Sequence, residues 1–188
     1  HGFACGWYVS GHVDTIDRYA YSSNADAIDH GNLSSVRSNQ SSTGSSSITH
    51  GYIAGGSTTH PVAISQIDKF SFSSNITATD HGDISPVMQY SSGHSSSTHG
   101  YNVGGYQSIN IIDRFTFASD GNATDWADLA AGNSYAGGSS STTHGYCAGG
   151  GYPPIHNNIH KFSYSSQANS TDIGDITVPR RYSGGTQI

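Results

Sequence analysis

Four histidines, His1, His50, His99 and His144, stand 49, 49 and 45 residues apart, and each is followed by glycine and an aromatic residue. Four equivalent imidazoles would make a metal site if they converged, because neutral imidazole ligates zinc and copper. No Cys/His spacing of a known metal motif surrounds them. The expected role of each is therefore a hydrogen bond to the backbone of a neighbouring unit, with no cofactor. Paired aspartates, Asp80 with Asp83, Asp125 with Asp128 and Asp172 with Asp175, supply the oxygens that calcium prefers. Asn32 replaces the second of them in the first unit and the spacing fits no calcium loop, so turn capping is expected instead. Serine, histidine and aspartate abound, yet no Gly-x-Ser-x-Gly turn presents a serine as nucleophile. Cys5 and Cys147 occupy adjacent rather than equivalent positions in the first and last units. A disulfide between them is conceivable, and two buried thiols are the stronger expectation.

The elements that must carry these residues follow from the same period. The unit reads His50-Gly51-Tyr52-Ile53-Ala54-Gly55-Gly56, His99-Gly100-Tyr101-Asn102-Val103-Gly104-Gly105 and His144-Gly145-Tyr146-Cys147-Ala148-Gly149-Gly150, with His1-Gly2-Phe3-Ala4-Cys5-Gly6 as its first copy. This predicts one domain over 1–188, divided into units 1–49, 50–98, 99–143 and 144–188. After each glycine pair and a variable loop comes an isoleucine, a polar residue, a basic residue and two aromatics separated by one position. The pairs are Tyr19/Tyr21, Phe70/Phe72, Phe115/Phe117 and Phe162/Tyr164. Aromatics at i and i+2 share one face of a strand. The basic residues ahead of them, Arg18, Lys69, Arg114 and Lys161, recur in every unit, which predicts structural pairing with carboxylates. The Asp-rich segments 29–33, 80–84, 125–129 and 172–176 read as tight turns from which the next strand starts at the aliphatic residue. Serine tracts 41–47 and 139–143 resemble linkers by composition, but each leads into a histidine unit at a fixed distance and is read as strand or strand entry. Three to four strands per unit result, and the glycine pairs permit positive φ where a strand turns out of its sheet.

Composition limits the partners. The chain has 188 residues, 11% of them charged, and only 7 Lys plus Arg against a net charge of −6, so it lacks the basic footprint of a nucleic-acid surface. With 34% hydrophobic residues, its 12 Tyr and 6 Phe must supply much of the core. No apolar run is long enough to span a bilayer. The start at His1, without methionine, is expected of a processed product or a piece of a longer chain. Asn32, Asn39, Asn75, Asn122 and Asn169 head Asn-x-Ser/Thr triplets, glycosylation acceptors only where the host secretes the chain.

The glycine pairs, the aromatic strand and Pro179-Arg180 ahead of the next Ser/Gly segment resemble kelch-like repeats of the Gly/Ser/Tyr-rich type found in phage, virion and surface proteins. The first unit departs from the pattern with Cys5-Gly6-Trp7, and the tryptophan usual after the aromatic strand is represented only by Trp126. The resemblance implies an all-β chain folded as a β-propeller of four blades of about 45–49 residues, forming a small closed ring or part of a larger one. Its structural residues would be Tyr52, Gly55, Gly56, Phe70, Phe72, Tyr101, Phe115, Phe117, Tyr146, Phe162 and Tyr164. Some propellers of this kind host a copper-radical oxidase, which needs a cysteine-linked tyrosine; Tyr146 beside Cys147 is the nearest approach to one. The expected function is instead non-enzymatic recognition of a protein or surface glycan, or of further copies in an assembly, on a virion or extracellular surface. The variable loops 8–14, 57–65, 106–110 and 151–158 would make the contact, with Thr58, Thr59, His60, Tyr106, Tyr152 and His156 as binding residues.

Overall fold

A computed structural model describes residues 1–8, 10–39, 44–59 and 61–185, and among these the chain is all-β. Four antiparallel sheets follow one another along the sequence. The first has three strands, β1 (Gly2–Tyr8), β2 (His12–Tyr19) and β3 (Ile28–Arg37). The second contains β4 (Ser45–Ser46) and β5 (His50–Ala54), then a small separate hairpin of β6 (Ser57–Thr59) and β7 (Val62–Ala63), then β8 (Gln66–Ser71) and β9 (Thr79–Asp83). The third runs β10 (Ser92–Ser95), β11 (His99–Gly105), β12 (Ile109–Thr116) and β13 (Thr124–Asp128). The fourth runs β14 (Gly137–Ser140), β15 (His144–Ala148), β16 (Asn158–Ser163) and β17 (Thr171–Asp175). Each four-stranded sheet is a meander in chain order that begins a few residues ahead of its histidine.

Register explains the glycine of each His-Gly-aromatic unit. Gly51 pairs with Phe70, Gly100 with Phe115 and Gly145 with Phe162. Each aromatic ring lies flat over its glycine, so that a methyl group on Gly100 would sit 2.6 Å from Phe115 Cε2 and closer still to Cζ. The aromatic two residues further along then flanks a ring from the preceding sheet. Phe3 stacks on Phe72 at 4.9 Å, Tyr52 on Phe117 at 4.8 Å and Tyr101 on Tyr164 at 4.6 Å. The core is accordingly three slabs between four sheets rather than one centre, and one slab joins Tyr101, Val103, Ile112, Trp126, Phe162 and Tyr164. Offset aromatic pairs add about 0.5–1.5 kcal/mol each beyond the area they bury.

The Ser/Gly tracts are the first strands of their sheets, as expected where described; 40–43 lie outside the described residues. There the sheets approach closely, and a Cβ on Gly138 would meet Gly93 O at 3.1 Å. The glycine pairs also behave as expected, with φ of 64° and 100° at Gly55 and Gly56 and 67° and 154° at Gly104 and Gly105.

Three expectations need correction. The Asp-rich segments are not turns: they are the fourth strands, β9, β13 and β17, and in the first sheet part of β3. Asp29, Asp80 and Asp172 each accept the amide two residues on, at 2.8, 2.9 and 3.0 Å, which caps the bulge within the strand. The basic residues do not share one role. Lys69 pairs with Asp120 at 2.8 Å, whereas the Arg114 guanidinium lies 3.7 Å from the centroid of Trp126, a cation–π contact. The buried ion pair is made instead by Arg37 and Asp68 at 3.1 Å, within the second sheet's junction with the first. Finally, the recurring histidines do not bond a neighbouring unit's backbone. Nδ1 of His50, His99 and His144 lies 2.8 Å from the hydroxyl of the preceding threonine, Thr49, Thr98 or Thr143. The bonds between sheets come from other side chains: His30 Nε2 donates to Ser71 O at 2.7 Å, and Trp126 Nε1 donates to Ser163 O at 3.1 Å.

Candidate functional site

Three of the variable loops lie on one rim. Thr58 and Thr59 belong to β6, where Thr59 is exposed, and His60 lies outside the described residues. Beyond that hairpin, Pro61 O accepts from Gln89 Nε2 at 3.2 Å, and Pro61, Ala63, Val87, Gln89, Tyr90 and Tyr106 line a cleft of about 360 Å³. Tyr106 then meets Tyr152 at 5.2 Å, edge to face, so the loops of the third and fourth sheets touch through their tyrosines. The hydrogen bond to Tyr152 is the chief cause that raises the Tyr106 hydroxyl above its ordinary value. His156 is held at the base of its loop, where its amide donates to Gly150 O at 2.8 Å. Of the residues expected to bind, Tyr106 and Tyr152 are brought together and Tyr106 borders the cleft beside the β6–β7 hairpin, while Thr58, Thr59 and His156 are not among the residues that line it.

A set of tyrosines adjoins that cleft, with Tyr135 buried at its middle. Tyr90, Tyr135 and Tyr182 carry φ of 58°, 60° and 59°, and Asn39 takes 59° at the corresponding place. A backbone ladder joins them: Tyr90 N donates to Asn39 O at 2.8 Å, Tyr135 N to Tyr90 O at 2.8 Å, and Tyr182 N to Tyr135 O at 3.0 Å. The left-handed backbone aims each ring along this ladder, where Tyr90 and Tyr135 lie 4.4 Å apart and Tyr135 and Tyr182 4.5 Å apart. Tyr106 reaches Tyr90 at 6.0 Å, and five rings therefore run without interruption from Tyr152 to Tyr182. The ends of the run are open to solvent, Tyr152 at 44% and Tyr182 at 65% exposure. Burial, followed by the neighbouring Tyr182, raises the Tyr135 hydroxyl. Left-handed tyrosines are costly, of order 1–2 kcal/mol each, and such strain concentrates where chains bind. Sequence reasoning missed these residues. Tyr90 and Tyr135 each stand nine positions ahead of their histidines, a period that could have revealed them.

The chemistry-bearing clusters elsewhere are closed. Cys147 Sγ lies 3.3 Å from His94 Nε2 and 3.3 Å from Ser92 Oγ, and His94 Nδ1 donates to Ser139 O at 3.0 Å. Such a triad could serve a nucleophile if it ionised. Burial instead pushes the Cys147 thiol up to about 12 and His94 down to about 4, so both stay neutral at ordinary pH. Cys5 and Cys147 each keep their thiols, with Cys147 buried and Cys5 half-buried, and burial raises Cys5 to about 12 as well. Among the described residues no three His, Cys, Asp or Glu side chains gather as metal ligands; His50, His99 and His144 head strands of three different sheets, and His1 precedes β1. No helix of the described residues is long and apolar enough to cross a membrane. No protein-family model matches the chain, and no curated protein matches it in sequence.

Proposed function

We propose that the chain is a non-enzymatic scaffold, a β-propeller of kelch-like blades displayed on a virion or other extracellular surface, whose loop-bearing rim binds a surface glycan or a protein. The observation that carries this reading is the run of five tyrosines, whose end rings, Tyr152 and Tyr182, are 44% and 65% exposed and whose middle ring, Tyr135, is buried as their support. Tyrosine offers a flat apolar face for a sugar ring and a hydroxyl for its polar edge, at low entropic cost because it has two side-chain torsions. The neutral, buried Cys147–His94 pair supports a non-catalytic role. The purified chain is expected to bind a subset of glycans on an array. Swapping Tyr106 and Tyr152, the loop rings at the open end of the run, together for alanine should abolish that binding and leave the fold's circular-dichroism spectrum unchanged. Binding that survives a clean swap would move recognition away from the rim.

A further inference from the structure

We infer that the cleft beside the β6–β7 hairpin holds one uncharged sugar residue, so that the glycan bound at the rim is a neutral one; this deepens the reading above and rests on it. The cleft measures about 360 Å³. Sites for small ligands run from about 300 to 1,000 Å³, so this one lies at the small end and suits a single hexose better than a stretch of polypeptide. Its walls come from three segments: Pro61 and Ala63 from the hairpin, Val87 and Gln89 from the stretch ahead of β10, and Tyr106 and Gln107 from the turn that joins β11 to β12. None of these segments belongs to the first or the fourth sheet.

The chemistry of those walls selects the ligand. Among the described residues that line the cleft none is Asp, Glu, Lys, Arg or His, so an ionised carboxylate, phosphate or ammonium group would lose water there and gain no countercharge. The polar groups are carboxamides and phenols, which donate and accept as a sugar hydroxyl does. Gln89 is 6% exposed, and its Nε2 donates to Pro61 O at 3.2 Å while Oε1 has no hydrogen-bond partner. Because a carbonyl only accepts, the bond to Pro61 fixes which end of the carboxamide is left over. An unused buried acceptor is unfavourable, and a ligand hydroxyl that donates to Oε1 removes that cost. Oε1 is itself covered, and Pro61, exposed on the hairpin and bonded to the same carboxamide, is the element that must yield to admit the hydroxyl. The second carboxamide is held out by its backbone: Gln107 and Ser108 take φ of 65° and 61°, and Ser108 O is seated against Gly132, where a side chain would not fit. A turn fixed in this way orders Gln107 before the ligand arrives, which lowers the entropic cost of binding. Val87, exposed on the wall, and the ring of Tyr106 supply apolar surface for the faces of the sugar, and Tyr106 is kept in place by Tyr90 at 6.0 Å and Tyr152 at 5.2 Å.

Saturation-transfer NMR of the purified chain tests the inference, with the methyl glycosides of glucose, galactose, mannose and N-acetylglucosamine as neutral probes and glucuronic acid and sialic acid as charged ones. At least one neutral glycoside is expected to receive saturation, and neither acid. Val87→Trp, which fills the cleft from an exposed position, should abolish the transfer. Gln107→Gly removes a carboxamide and eases a left-handed residue, and it should weaken binding by about three- to tenfold, the worth of one neutral hydrogen bond. Both variants should melt no lower than the parent by circular dichroism. Saturation of the acids, or binding of a neutral glycoside that both variants retain, overturns the inference. Array binding that is lost in the Tyr106/Tyr152 double variant, with no transfer to any of these neutral glycosides, overturns it too and leaves recognition at the rim standing. A chain that binds neither the glycosides nor the array overturns both.

Discussion

Replacing Gly100 by alanine isolates the contact on which every sheet depends. Gly100 is not in the left-handed region, so alanine there brings no backbone strain, and the lost freedom of the unfolded chain would by itself stabilise by about 0.4–1 kcal/mol. The added methyl would nevertheless sit 2.6 Å from Phe115 Cε2, and Phe115 is buried between its own sheet and Tyr52, with ring centroids 5.4 Å apart. It has nowhere to swing. Overpacking of this kind costs typically about 1–3 kcal/mol, and because the ring must leave its slab we expect the upper end, ~3 kcal/mol. For a chain of this length that lowers the melting temperature by about 6–12 °C. Gly2→Ala is the control, since the ring over Gly2 belongs to Tyr19, which lies at the open end of the stack and can rotate into solvent. Its expected cost is below ~1 kcal/mol. Urea unfolding of both variants, compared at unchanged m, measures the difference. Equal costs at the two positions would refute the claim that the next sheet, rather than the glycine itself, sets the penalty.

Two more outcomes follow from buried charges. Arg37→Met should destabilise by about 3–5 kcal/mol in urea unfolding, because it strands the Asp68 carboxylate in the junction, and adding Asp68→Asn should recover most of that loss. Two buried groups contribute to acid stability in opposite directions: burial raises Asp113 to about 6 and lowers His94 to about 4. The folded chain holds the Asp113 proton through the range between the ordinary carboxylate value and about 6, so that group's contribution falls as pH rises there. The unfolded chain protonates His94 first, so its contribution is lost as pH drops from the ordinary histidine value towards 4. Each amounts to roughly 3 kcal/mol and they largely cancel in the parent. Asp113→Asn should expose the contribution of His94 as a steeper fall in melting temperature than the parent's between about pH 6.5 and pH 4, and a profile no steeper than the parent's would contradict it.

What the sequence made legible was whatever repeats within one meander. The period, the aromatic pairs and the glycine pairs each depend on neighbours along the same strand or hairpin, and all are found where the pattern places them. The contacts between sheets were not legible, because they join residues such as Tyr52 and Phe115 that only stacking brings together. The same limit hid the reason for Gly100, read as part of a motif when its necessity comes from the ring of its register partner. It also misled the reading of Asp29, Asp80 and Asp172: an aspartate bonding the amide two residues on looks like a turn in sequence, and a bulged edge strand uses the same bond.

The histidines show why recurrence alone does not assign a role. His50, His99 and His144 recur most visibly and do the most local work, fixing the threonine hydroxyls at the entry to their strands. His30 and His81, each within an Asp-His-Gly step, and His94 are buried between sheets or in the core and serve the stacking. A residue that must serve one junction can vary with that junction, as the replacement of His30 by Trp126 and then by Ile173 shows along the series. At the last of those positions Ile173 is 51% exposed, and the packing that fixes a histidine or a tryptophan at the earlier ones is absent around it.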